Sequence, residues 1–162
     1  MISPGQPIPD TPIKLVNAEG ATDMAASEAL AGERVVFFTV PGAFTPTCHV
    51  NHLPGFLANA EKLRAAGVTR IVCGAANDHH VLKAWGEASG ALGDIVFLAD
   101  GNAALARALG IDRDMSGNGL GARFARAAMI VENGVVRHIF VEDAPGVSGS
   151  GAPAVLLALE AA

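Results

Sequence analysis

Two cysteines and five histidines head the list of reactive side chains in this sequence, and Cys48 has the most informative setting among them. It closes the segment Pro41-Gly-Ala-Phe-Thr-Pro-Thr-Cys48, which follows a short apolar run. It precedes an amphipathic stretch with Leu53, Phe56, Leu57 and Leu63 at helical spacing. A cysteine so placed lies at a helix N-terminus, where free backbone N–H groups and the positive end of the helix dipole favour thiolate over thiol. A thiolate is a nucleophile. Thr45, three residues earlier, is spaced to bring its hydroxyl beside that sulfur, stabilising the thiolate and donating a hydrogen bond to a bound oxygen. Pro41 is placed to shield such a pocket. The same residues also admit a bland reading, with Thr45 an N-cap and Cys48 a small buried hydrophobe. The local pattern leaves both open.

Positioning these groups needs strands and helices. Short apolar runs and two-residue alternation predict strands at Arg34 to Val40, Thr69 to Ala75, Ile95 to Ala99, Ala127 to Val131 and Val135 to Val141. Helical patterns lie between and after them, at about Val50 to Ala66, Asp78 to Ser89, Ala103 to Leu109 and Pro153 to Ala161. Gly67, Gly90 and Gly110 stand where helices stop. Glu132-Asn133-Gly134 joins two strand patterns through an Asn-Gly pair, a tight-hairpin signal, so the sheet is mixed. Ser116 to Gly121 and Gly146 to Gly151 read as flexible glycine-rich loops. The reading is one α/β domain over residues 1–162, a central mixed sheet flanked by helices.

Bulk properties narrow the function classes. With 162 residues, 51% of them hydrophobic, the chain suffices for one core, and a formal charge of -5 without any basic run argues against a nucleic-acid partner. No apolar stretch approaches the roughly 20 residues that span a bilayer. The N-terminal residues carry no basic-then-apolar pattern, so the expected location is cytoplasmic. Two isolated cysteines make neither a disulfide framework nor a zinc site.

The string from Pro41 to Cys48, continuing through His52-Leu-Pro-Gly-Phe56, resembles the active-site signature of the peroxiredoxins, in particular their type 5 (type II) branch. The likeness extends through Cys73, Asn77-Asp78, Trp85-Gly86, Leu98-Ala-Asp100-Gly, Arg123 to Val131 and Val141-Glu142. It implies a thioredoxin-like fold and reduction of hydrogen peroxide or organic hydroperoxides through a Cys48 sulfenic acid, with no metal, flavin or other cofactor. It also implies that Arg126 is the cation at the site, with Arg123 its rival. Where the family reads Arg-Ser-x-Arg-Tyr, this chain has Arg123-Phe-Ala-Arg126-Ala127, a departure expected to loosen the packing of Arg126. His52, four residues after Cys48, invites a Cys-His pairing. The resemblance assigns it instead to its helix segment rather than to proton transfer. His49, His79, His80 and His138 are expected on solvated faces.

Cys73 has two competing roles: resolving the sulfenic acid, or filling the sheet as strand cysteines commonly do. Some type 5 members carry a resolving cysteine after the last strand. Here Glu142 to Gly151 has Ser148 and Ser150 and no cysteine, so the chain resembles one-cysteine variants recycled by an external thiol. Glutathione with glutaredoxin is the first candidate and thioredoxin the second. The resemblance further implies a homodimer built on the edge that carries the active-site loop, with Phe44, Trp85 and Met115 to Gly121 as candidate contacts. A redox-sensing or binding module using Cys48 oxidation as a signal is the rival of a different class. A thiol-disulfide oxidoreductase would need Cys-x-x-Cys, and Val50-Asn51 follows instead.

Overall fold

A computed structural model gives the fold and describes residues 1–161; Ala162, the last residue of the expected domain, lies outside the described residues. The order is β1 (Pro12–Asn17), β2 (Gly20–Ala25), α1 (Ala26–Ala29), β3 (Val35–Thr39), a π-helical turn (Cys48–His52), α2 (Leu53–Ala58), α3 (Ala60–Ala65), β4 (Arg70–Ala75) and α4 (His79–Ser89). Then follow β5 (Val96–Ala99), α5 (Ala104–Leu109), β6 (Asp112–Asp114), β7 (Ala122–Phe124), β8 (Ala127–Glu132), β9 (Val135–Val141) and α6 (Ala152–Glu160).

Seven strands form one mixed sheet in the order β2-β1-β5-β4-β3-β8-β9, and β6 pairs with β7 separately. This is the thioredoxin-like α/β arrangement that the resemblance implied. All five predicted strands are present and form its contiguous middle and one edge. β3 is parallel to β4, and β4 to β5, whereas β8 runs antiparallel to both β3 and β9. Every residue of β3 is buried, as a strand covered on both faces requires. Val36, Phe38 and Val40 point into a core with Cys48, Phe56, Trp85 and Val155. Val35 and Phe37 point the other way, toward Leu30, Leu98, Leu105 and Phe124. Asn133 and Gly134 both have positive φ, 51° and 79°, which closes the predicted β8–β9 hairpin as a primed turn.

Four strands lie outside the predicted set, β1, β2, β6 and β7. β2 is an edge strand with three consecutive exposed residues, and β6 is Asp-Arg-Asp, wholly exposed, so their ladders are set by a partner rather than by an apolar period. The segment Ser116 to Gly121 is the turn of the β6–β7 hairpin, closed by the Met115 N–H on the Gly121 carbonyl at 2.7 Å. No helix among the described residues is long and apolar enough to cross a membrane.

The helix predicted at about Val50 to Ala66 ends as expected, at Ala65, but differs from the structure at its start and in the middle. Helical turns begin at Pro46, and the backbone is then π-helical from Cys48 to His52, with the Leu53 N–H reaching the Cys48 carbonyl five residues back. Pro54 supplies the physical reason: it has no N–H to give the carbonyl four residues before it, so the preceding turn widens. The helix breaks again at Asn59, whose side chain donates to the Gly55 carbonyl at 2.8 Å. The widened turn leaves Cys48 and His52 both buried.

Candidate active site

Cys48 lies in the first turns of this helix, fully buried, with its sulfur facing the end of β8. The residue just before β8, Arg126, donates from Nη2 to Cys48 Sγ at 3.2 Å. Its Nη1 meets His52 Nδ1 at 3.1 Å. An arginine can only donate, so Nδ1 accepts, and the ring proton must sit on Nε2, which donates to the Ser150 carbonyl at 2.8 Å. His52 is thus held neutral in one tautomer. Burial, helped by the Arg126 charge, pushes it down to about 4 against the opposing influence of its Ser150 bond and of Glu142. The His52 Nδ1 lone pair is engaged by Arg126 rather than by the Cys48 thiol. Arg126 is fixed despite the small neighbour Ala127, because His52 and Cys48 together occupy its two terminal nitrogens.

A groove of about 630 Å³ opens beside this cluster, its lining including Pro41, Thr45, Arg113, Met115, Leu120 and Arg126. The redoxin family pattern matches residues 3–156. The chain belongs to the redoxin family, as a peroxiredoxin. It is 42% identical to peroxiredoxin-2E-2 of Oryza sativa subsp. japonica over 98% of this chain and 72% of that protein. It is 37% identical to peroxiredoxin-2B of Arabidopsis thaliana over 98% of each. Reduced Prx3 of Vibrio vulnificus, solved in complex with hydrogen peroxide, superposes with a TM-score of 0.92 and 44% identity over 98% of this chain and 99% of that one. Peroxiredoxin 5 of Alvinella pompejana superposes at 0.85 with 30% identity over the full length of both. As a peroxiredoxin the protein is a thiol peroxidase.

In this peroxiredoxin the loop before Cys48 is tightly fastened. The Thr45 hydroxyl donates to the Gly42 carbonyl at 2.7 Å. Its proton is therefore committed to the turn rather than free for the expected donation to a bound oxygen. Nor does the Thr45 side chain cap the helix; its backbone carbonyl receives the His49 N–H at 2.8 Å. Between them Phe44 takes a left-handed φ of 62°, uncommon for an aromatic residue and stabilised here by ring contacts with His49 and Trp85. Arg123 does not reach the sulfur. It donates to the Pro41 carbonyl at 3.1 Å and to the Leu120 carbonyl at 2.8 Å, tying the Pro41 turn to the β6–β7 hairpin.

Several supporting residues carry no local signal of their role. Asn77, which reads with Asp78 as a helix cap, accepts from the Ala43 N–H at 2.9 Å across the site, and Asp78 alone caps α4. Asp100 accepts with its two carboxylate oxygens from the Leu105 and Ala106 N–H groups in the first turn of α5. His49 is not simply solvated: its Nδ1 accepts from the Trp85 indole at 3.0 Å. Trp85 is wholly buried and so unavailable as a contact for another subunit, whereas Phe44 is 47% exposed.

The segment Gly146 to Gly151 is pinned rather than flexible. Glu142 accepts from the Ser148 and Ser150 hydroxyls, each at 2.6 Å, and from their backbone N–H groups at 2.7 and 3.1 Å. Burial alone would raise its carboxyl, but these four bonds outweigh it and bring the group down to about 2. Cys73 lies on β4, fully buried between Phe38 of β3 and Phe97 of β5. Burial and then the nearby Cys48 push its thiol well up, only partly countered by Arg126. Both cysteines are free.

Proposed function

We propose that Cys48 attacks the terminal oxygen of hydrogen peroxide or an organic hydroperoxide, with Arg126, Thr45 and Pro41 as the other working residues. The observation that carries this reading is the Arg126 guanidinium 3.2 Å from the sulfur and already fixed by His52. In the attack an S–O bond forms and the O–O bond breaks. Its electron pair leaves with the second oxygen, as hydroxide or alkoxide that takes up a proton, and Cys48 becomes a sulfenic acid. A preorganised guanidinium stabilises the charge on the leaving oxygen without reorganising during the reaction. The Thr45 lone pairs receive the peroxide O–H and align it with the sulfur. Pro41 closes the pocket from the groove side.

An external thiol then attacks the sulfenic sulfur and expels water, giving a mixed disulfide that a second thiol reduces. Two features support an outside reductant: no cysteine lies between Glu142 and Gly151, and the buried Cys73 thiol is held neutral, hence a poor nucleophile. Glutathione with glutaredoxin comes first and thioredoxin second. A homodimer built on the edge with Phe44 and the Met115 to Gly121 turn is the proposed assembly. The test is peroxide consumption by wild type, Cys48→Ser and Cys73→Ser, supplied in turn with glutathione plus glutaredoxin and with thioredoxin. Loss in Cys48→Ser with retention in Cys73→Ser is expected; turnover surviving in Cys48→Ser overturns the assignment, and turnover on thioredoxin alone reverses the reductant order.

A further inference from the structure

The peroxidase chemistry uses Cys48, Arg126 and Thr45, and leaves unexplained the most heavily hydrogen-bonded side chain near the site. Glu142 is 7% exposed, and both of its oxygens are occupied by Ser148 and Ser150, through two hydroxyls and two backbone N–H groups. A carboxylate so thoroughly satisfied fixes the loop it grips. The gripped residue Ser150 is itself buried, and its carbonyl oxygen receives the His52 Nε2–H at 2.8 Å. That bond determines which ring nitrogen carries the proton. With the proton on Nε2, Nδ1 offers a lone pair to Arg126; with the proton on Nδ1, two N–H groups would face each other and the guanidinium would be displaced from Cys48. The Glu142 backbone closes the circuit, since its N–H donates to the Arg126 carbonyl at 2.8 Å and its carbonyl accepts from Arg113 at 2.9 Å.

We propose that Glu142 is a positioning residue for the peroxidase reaction: its clasp on Ser148 and Ser150 sets the Ser150 carbonyl, which fixes the His52 tautomer and thereby holds Arg126 on the Cys48 sulfur. The clasp never touches the reacting atoms. Beyond the clasp it acts through two single links, the Ser150 carbonyl and His52 Nδ1, so loosening it frees the guanidinium while the core beneath stays packed. The proposal rests on the peroxidase reading of the same site.

The experiment follows Cys48 in single turnover in wild type, Glu142→Gln, His52→Ala, His52→Asn and the double variant Glu142→Gln with His52→Ala. One rate is for hydrogen peroxide, which needs charge stabilised on a leaving oxygen. The other is for iodoacetamide at a pH where the thiolate is fully formed, which needs only the nucleophile. Gln keeps the size of Glu142 but removes its charge and replaces one acceptor oxygen by a donor, so the clasp loses the Ser148 hydroxyl bond when the amide oxygen takes the Oε2 place and the other three bonds when it takes the Oε1 place. Glu142→Gln should lower the peroxide rate about tenfold to a hundredfold, as loss of an orienting partner does elsewhere, with the alkylation rate changed less than about threefold. His52→Asn, whose amide oxygen can stand near the place of Nδ1, should retain more peroxide reactivity than His52→Ala. The double variant should be no slower than His52→Ala, because both changes break one chain. Independent, multiplying effects in the double variant overturn the proposal. So does an unchanged peroxide rate in Glu142→Gln, or an equal fall in both rates, which marks a general loss of structure. A wild type inert to peroxide sinks the peroxidase reading instead, so the two failures are distinguishable.

Discussion

Lowering the pH from 7 to 5 should cost the folded protein about 2 kcal/mol through His52 alone. Its pKa is about 4 in the folded chain, against an ordinary value of 6.5. Between those values the unfolded chain binds a proton that the native state refuses, so stability rises with pH across this window and is lost as pH falls. At pH 5 the unfolded state is almost fully protonated at this residue and the native state barely so. That difference of about one and a half logarithmic units is worth roughly 2 kcal/mol at about 1.4 kcal/mol per unit. The choice of pH 5 keeps the Glu142 carboxyl, held at about 2, almost wholly ionised in the native state. The measurement is urea unfolding at pH 7 and pH 5 for the wild type and for His52→Asn, with the linear extrapolation made separately at each pH. The variant has a lower stability at both pH values, but its loss between them should be smaller by about 2 kcal/mol. Equal losses in the two proteins would mean that His52 titrates normally in the fold. The single-tautomer account of how Arg126 is held would then be wrong.

Two other changes test the site and the core. Arg126→Lys replaces a rigid planar fork that reaches Cys48 and His52 together by a compact ammonium without that fixed geometry, so the rate of Cys48 oxidation by hydrogen peroxide should fall about a hundredfold or more by stopped-flow; a change under threefold would remove Arg126 from the reaction. Gly74→Ala would place a Cβ 2.6 Å from the Phe37 ring on the central strand pair, and should destabilise the protein by about 1–3 kcal/mol in urea titrations; a loss under about half a kcal/mol would show that the Phe37 ring moves aside freely.

Which parts of this protein could be read locally follows from how each was encoded. The buried strands announce themselves, because a strand covered on both faces must be apolar throughout: β3 is Val-Val-Phe-Phe-Thr, and β8 is equally legible. The Asn-Gly hairpin is legible for a related reason, since two successive positive φ values restrict the residues that fit. Cys48, Thr45 and Pro41 lie within eight residues, so their proximity is a property of one turn and survives without knowledge of the fold.

The remainder of the site depends on segments far apart in the chain. Arg126 and Arg123 flank the same short stretch and look alike as residues. Only the pairing of β8 with β3 puts one on the sulfur and sends the other to the Pro41 carbonyl. Asn77 is a good helix cap by its neighbours, yet its oxygen is claimed by an N–H 34 residues away. Glycines and serines at 146–151 look loose in isolation, and the loop is ordered by a carboxylate at the end of β9. Sequence by itself determined the buried strands, the Asn-Gly hairpin and the turn that presents Cys48, because these rest on short-range sterics and burial. The resemblance named Arg126, but the tertiary structure alone decided how that cation is held on the sulfur, because a hydrogen bond depends on a few tenths of an ångström between atoms that only folding brings together.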